Sequence, residues 1–144
     1  MAKKVLFIDT VHPILEERLE RLGYEVHKDL ANPKVDVECK IQDYFGLVIR
    51  SRFPIDEQFL SKAKKLKFIA RSGAGLENID LVAAEKQQIQ VFNSPEGNKD
   101  AVGEHAIGML LSLFNQLKKG DQQVRTGVWD LSLIHISEPT RPLH

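Results

Sequence analysis

The chain has 144 residues, 20 basic and 20 acidic side chains, 42% apolar residues and one cysteine. That length can bury a core without disulfides or metal. Zero formal net charge leaves no basic footprint for nucleic acid, and Cys39 alone can form neither an internal disulfide nor a cysteine-based zinc site, which points to a reducing compartment. The strongest apolar stretch, Ala106 to Phe114, is about half the roughly 20 residues that a membrane span needs. The start, Met1-Ala-Lys-Lys4 before Val5, is too short for a signal peptide. These readings predict a cytoplasmic protein with no nucleic-acid partner, no membrane partner and no metal site.

Val5 to Ile8 is a continuous apolar run ending at Asp9, the pattern of a strand buried on both faces. His12 to Leu22 carries Ile14, Leu15, Leu19 and Leu22 at helical spacing, and Gly23 stands where a C-cap glycine belongs. Tyr24 to His27 reads as a second strand. Ala31 to Gln42 is polar and weakly patterned, a loop with a turn or two of helix. Phe45 to Ile49 is a third strand, ending at Arg50-Ser51-Arg52. Asp56 can cap a helix running to Lys64. Leu66 to Ala70 is a fourth strand, followed by Arg71-Ser72-Gly73-Ala74-Gly75. Asn78 to Gln87 reads as a short helix and Ile89 to Phe92 as a fifth strand. Strands alternating with helices at this spacing predict a parallel α/β sheet with helices on both faces.

Asn98 to Lys119 reads as one long helix, apolar around nearly its whole circumference. Asp100 in its first turn, Lys118 and Lys119 in its last and Gly120 just beyond suit the ends of a helix dipole. A helix apolar all round belongs between two bodies. The tail from Leu131 to His144 reads as the in-frame translation of a transposon-end adapter used in sequencing libraries, with native sequence stopping at about Asp130.

Ligands of open α/β sheets sit beyond the carboxyl ends of the strands. Three such ends carry chemistry: Asp9-Thr10, Arg50-Ser51-Arg52 and Arg71 to Gly75. Gly73-Ala74-Gly75 can aim successive N–H groups at one point, a nest for a carboxylate or phosphate. Arg50 and Arg52 can supply matching positive charge. The same residues also fit a plain strand-to-helix turn with surface arginines. Gly73-x-Gly75 with Glu96 about 20 residues on imitates the dinucleotide fingerprint, but Asn78 replaces the third glycine, so this is not the main dinucleotide site. Asp9 after an apolar strand resembles the start of a receiver domain. The third strand ends in Arg50 instead of an aspartate, so Asp9 reads as a helix N-cap or a hydrogen-bonded strand end. Glu104 and His105 are helix neighbours that point in different directions and form no dyad.

Four blocks in order resemble the D-isomer-specific 2-hydroxyacid dehydrogenases, most closely the phosphoglycerate dehydrogenase branch. They are Arg50-Ser-Arg52, Phe68-Ile-Ala-Arg-Ser-Gly-Ala-Gly-Leu-Glu-Asn-Ile-Asp80, Asn93-Ser-Pro-Glu-Gly-Asn98 and Ala101-Val-Gly-Glu-His-Ala-Ile-Gly-Met-Leu-Leu111. The likeness spans about residues 3 to 130. It implies a flavodoxin-like substrate domain, incomplete here, over residues 1–98. A long inter-domain helix and the start of a nucleotide-binding domain follow over 99–130. It implies NAD as cofactor, a small anionic 2-hydroxy or 2-keto acid as substrate and a homodimer in the full-length form. It assigns Arg50, Ser51, Arg52, Gly73, Ala74 and Gly75 to the substrate, with Arg52 the least secure, and Ala74, Asn98 and Val102 to the cofactor.

The departure from the family is large. Its acid–base histidine, its partner glutamate, its substrate-polarising arginine and its glycine-rich pyrophosphate loop all lie downstream of Asp130. The resemblance therefore implies an inactive, marginally stable N-terminal fragment of a dehydrogenase. The alternative is a stand-alone, receiver-like α/β module that binds a small anion.

Overall fold

A computed structural model describes residues 3–130. The chain separates into two compact units, residues 1–98 and 99–144. The first unit is a five-stranded, all-parallel sheet in the order β2-β1-β3-β4-β5. Its strands are β1 (Lys3–Phe7), β2 (Tyr24–Lys28), β3 (Gly46–Ile49), β4 (Phe68–Arg71) and β5 (Gln90–Phe92). Helices α1 (Pro13–Arg21), α2 (Lys34–Lys40), α3 (Glu57–Lys62) and α4 (Leu81–Lys86) lie in the connections. This 2-1-3-4-5 order is the flavodoxin-like one, as the family resemblance implies.

Alternation along each strand divides the core. Leu6, Ile8, Leu47, Ile49 and Ile69 join one cluster with Val37 and Ile41, with Phe59 and Leu60 of α3, and with Ala83 and Ala84 of α4. Val5, Phe7 and Val48 form the other, packed by Leu15 and Leu19 of α1. All four residues of β3 are buried, as its central place in the sheet requires. On the α1 face the cover thins toward β5: Phe68 and Ala70 are only partly buried, and Phe92, in register with Ala70, is 53% exposed.

Local signals explain most boundaries. Gly23 adopts φ +83° just after α1, as a C′ glycine does. His12, not Asp9, caps α1: its Nδ1 accepts from the Ile14 N–H at 3.3 Å. Asp56 caps α3 by accepting from the Phe59 N–H, and Asp80 caps α4 by accepting from Ala83, both at 2.9 Å. The stretch expected to be mostly loop holds a seven-residue helix, α2, followed by a 3₁₀ turn over Ile41–Asp43. Val37 and Ile41 bury one side of it. On the polar side Glu38, only 7% exposed, is paired with Lys34 at 3.7 Å and Lys62 at 2.5 Å. One ion pair within the helix and one long-range pair thus replace the apolar periodicity that was missing.

The described part of the second unit corrects the single-helix expectation. Helix α5 (Lys99–Phe114) ends four residues before Lys118, and α6 (Leu117–Arg125) begins after a break. At the break Gln116 takes a left-handed φ of 49°, and the Asn115 side-chain amide donates to the Leu111 carbonyl at 3.0 Å. Lys118, Lys119 and Gly120 therefore lie inside α6 and do not close the first helix. No residue of α5 or α6 is buried, and Leu113 is 73% exposed. The tail, Leu131 to His144, lies outside the described residues.

Candidate functional site

Parallel pairing brings four polar strand ends to one edge. Phe7 is in register with Val48, and Ile49 with Arg71; Ala70 is in register with Phe92. Asp9, Arg50 and Asn93 beyond β1, β3 and β5, and Arg71 at the end of β4, therefore stand along the carboxyl edge of the sheet.

The loop after β3 is held by its backbone. Asp9 Oδ2 accepts from the N–H of Arg50 at 2.6 Å, of Ser51 at 3.1 Å and of Arg52 at 3.3 Å. The Arg52 guanidinium donates to the carbonyls of Ile8 at 2.9 Å, Asp29 at 2.5 Å and Asn32. Arg52 thus clasps the loop to the end of β1 with its charged head on backbone carbonyls. The side chain of Arg50 makes no hydrogen bond or ion pair among the described residues and is exposed. Of the two arginines expected to meet an anion, only Arg50 has a free guanidinium.

The loop after β4 departs from the nest expected of Gly73-Ala74-Gly75. Neither glycine has positive φ, so the alternating right- and left-handed backbone of a nest is not formed. The amides are oriented by other means. The Gly73 carbonyl accepts from Ser94 N–H at 2.9 Å, and the Ala74 carbonyl from Asn93 Nδ2 at 2.6 Å. The Gly75 carbonyl accepts from Arg71 Nη1. In a planar trans peptide the next residue's N–H points opposite to its carbonyl. Pinning these three carbonyls therefore turns the N–H groups of Ala74, Gly75 and Leu76 the other way, and they donate to nothing among the described residues.

The glycines serve close approach instead. A Cβ on Gly73 would stand 3.0 Å from Arg71 Nη1, and one on Gly75 would stand 2.0 Å from Glu77 Oε2.

Arg71 joins the two loops. Its Nε donates to the Arg50 carbonyl at 3.1 Å and its Nη2 to Glu77 Oε1 at 3.0 Å, beside the bond to Gly75. Asn78 assists, with Nδ2 3.4 Å from the Arg50 carbonyl, and its own carbonyl accepts from Ile55 N–H at 2.8 Å. The residue that replaces the third glycine of a dinucleotide fingerprint thus ties loops together.

Sequence reading missed Arg71 and Asn93 as site residues, while Asp9 is the hydrogen-bonded strand end that was one of its two expected roles. The available signal was position: a polar residue ending each of four strands that a 2-1-3-4-5 order makes neighbours.

Away from this edge, His27 stands 2.9 Å from the Tyr44 hydroxyl and 2.7 Å from Glu25 Oε1. Burial pushes the Tyr44 hydroxyl above its ordinary pKa. Burial alone would raise the Asp29 carboxyl, but hydrogen bonds from Lys40 and Asn32 outweigh it and hold Asp29 below its ordinary value. Lys34 and the Phe59 N–H do the same for Asp56. Cys39 is exposed. Glu104, His105, Asn98 and Val102 are exposed around α5. No group of three metal-ligating side chains occurs among the described residues, and no described helix is long and apolar enough to cross a membrane.

This arrangement defines a class: a parallel sheet of this order with one free arginine and a row of oriented amides at its carboxyl edge, where open α/β sheets hold their ligands. Residues 5–136 match the family model for the catalytic domain of D-isomer specific 2-hydroxyacid dehydrogenases, and the chain belongs to that family. Within it the chain is similar to D-3-phosphoglycerate dehydrogenases. It is 33% identical to that of Sus scrofa over 128 residues, which are 89% of this chain and 24% of the relative. It is also 33% identical to that of Archaeoglobus fulgidus over 121 residues, 82% of this chain and 23% of the relative.

Among solved structures, NAD+-bound 3-phosphoglycerate dehydrogenase of Entamoeba histolytica is 34% identical with a TM-score of 0.63, covering 79% of this chain and 40% of that one. A Pyrococcus horikoshii protein with a TM-score of 0.83, 24% identical, shares the fold over 100% of this chain and 44% of its own. The chain thus spans about a quarter of the length of the curated relatives it matches.

Proposed function

We propose that the chain is the N-terminal part of an NAD-dependent D-2-hydroxyacid dehydrogenase of the phosphoglycerate dehydrogenase type, acting on a small anionic 2-hydroxy or 2-keto acid. The observation that carries this reading is the pairing of the free Arg50 guanidinium with the oriented amides of Ala74, Gly75 and Leu76, tied through Arg71. Arg50 and the amides bind the carboxylate of the substrate. Gly73 and Gly75 keep Cβ atoms out of that loop, and Ser51 lines the same strand end. Arg52 holds the loop, with Nη1 and Nη2 on three backbone carbonyls.

The described residues do not fit the pyrophosphate of a dinucleotide. The Gly73–Gly75 loop lacks the positive φ of a phosphate-cradling nest. Ala74, Asn98 and Val102 remain the proposed contacts to the cofactor's other end. The thin cover over Phe68, Ala70 and Phe92 fits a substrate domain completed by a returning segment of the longer protein. The homodimer and the cytoplasmic location belong to that longer protein. Residues 131–144 are read as adapter-derived.

Two experiments test the reading. Sequencing the source gene past the codon for Asp130 is expected to reveal a glycine-rich strand–turn–helix and, later, the arginine, glutamate and histidine. A gene that itself encodes Leu131 to His144 and then stops would overturn it in favour of an anion-binding module. The purified chain is expected to show no NAD-dependent turnover.

A further inference from the structure

We infer that Asp9 is a positioning residue for the anion-binding arginine, an inference that rests on the site reading above. Each backbone polar group of Arg50 is tied. Its N–H donates to Asp9 at 2.6 Å, and its carbonyl accepts from Arg71 Nε at 3.1 Å and Asn78 Nδ2 at 3.4 Å. The Cα–Cβ direction is thereby set while the guanidinium stays free.

An ionised carboxylate only accepts hydrogen bonds, and one oxygen here gathers three successive N–H groups. Bonds to an ionised acceptor are the strong ones, and the shortest of the three is that from the Arg50 N–H, at 2.6 Å. The clasp is reciprocal. Asp9 takes the Arg52 N–H, while the Arg52 guanidinium returns a bond to Ile8, the residue before Asp9.

A strand-end cap would be the simpler role, but two facts go beyond it. The loop is exposed at Arg50 and Ser51, so water could satisfy those amides without a carboxylate. A carboxylate beside an anion-binding arginine also opposes anion binding by its charge, and engaging it with three amide dipoles offsets that repulsion. The arrangement thus trades a nearby negative charge for a fixed backbone under Arg50. Without it the backbone under Arg50 would have to be ordered when the anion binds, at a cost in conformational entropy.

The test uses the ¹⁵N-labelled 144-residue chain with D-glycerate as probe, followed through amide shifts of residues 50–52 and 74–76. Wild type should bind, and Arg50→Gln should abolish the response. Asp9→Ala should weaken binding about tenfold and lower the order of amides 50–52, as expected for loss of a charge-assisted bond. Asp9→Asn keeps one acceptor oxygen and should restore most of both. An Asp9→Ala chain that binds as wild type does overturns the positioning role and leaves the site reading intact. Weakening by Ala and Asn with the order of amides 50–52 unchanged also overturns it, since the effect would then not run through the pinned backbone. A wild-type chain that ignores D-glycerate sinks the site reading, and this inference with it. If Asp9→Ala does not fold, Asp9→Ser, with a shorter reach to the amides, carries the same comparison.

Discussion

The two units of this chain use apolar residues in opposite ways. In the first, apolar side chains from Val5 to Ile89 are buried in two clusters on either face of a sheet. In the second, the apolar residues of α5 and α6 stand in solvent, with Ile107, Met109 and Leu110 each at least half exposed. Both stretches are rich in leucine, isoleucine and valine. What separates them is partners: hydrophobic stabilisation follows area removed from water, not composition. A helix apolar all round describes its intended surroundings, and within 99–130 those surroundings are absent.

The comparison is broken most severely by emptying the core of the first unit. Phe59 is fully buried, and Phe59→Ala should cost about 3–5 kcal/mol, enough to unfold a domain of ordinary stability. Urea unfolding followed by circular dichroism measures it. An overpacking change comes next. A Cβ on Gly46 would stand 2.2 Å from the Phe68 ring, which also contacts Tyr24 and Phe45. Gly46→Ala must displace that ring, at about 1–3 kcal/mol, and the aromatic shifts of Phe68 in NMR spectra should move with it.

Acid sharpens the contrast through Asp29, whose carboxyl is 5% exposed and ion-paired with Lys40. The folded chain holds the Asp29 proton less tightly than the unfolded chain does, with an ordinary value of 3.8. The stabilisation is therefore fully present above that value and is lost as pH falls through the folded pKa. Asp29→Asn should lower stability at pH 7 and flatten the acid limb of a pH–stability curve. The smallest effect belongs to the second unit: Leu113→Lys, at a position 73% exposed, should change stability by no more than about 0.5 kcal/mol. A loss of several kcal/mol would show that α5 carries packing after all.

The chain's own pattern determined much of this protein. Apolar runs at Val5, Phe45 and Ile69 placed the strands, Gly23 and Asp56 marked helix ends, and polar residues after the strands marked the carboxyl edge. These are short-range signals, legible because a few neighbouring residues settle backbone conformation. Tertiary structure decided the rest. The helix Lys34–Lys40 depends on ion pairs to Lys62 and on burial of Val37. The break at Gln116 interrupts a run whose composition favours continuing helix. Arg52 proved a clasp and Arg50 a free group because Ile8, Asp29 and Asn32 offer carbonyls to one and not to the other. The amides of 74–76 face outward because Ser94, Asn93 and Arg71, distant or side-on in sequence, hold the carbonyls behind them. Such contacts join residues that only chain folding brings together, so residue spacing alone could not reveal them.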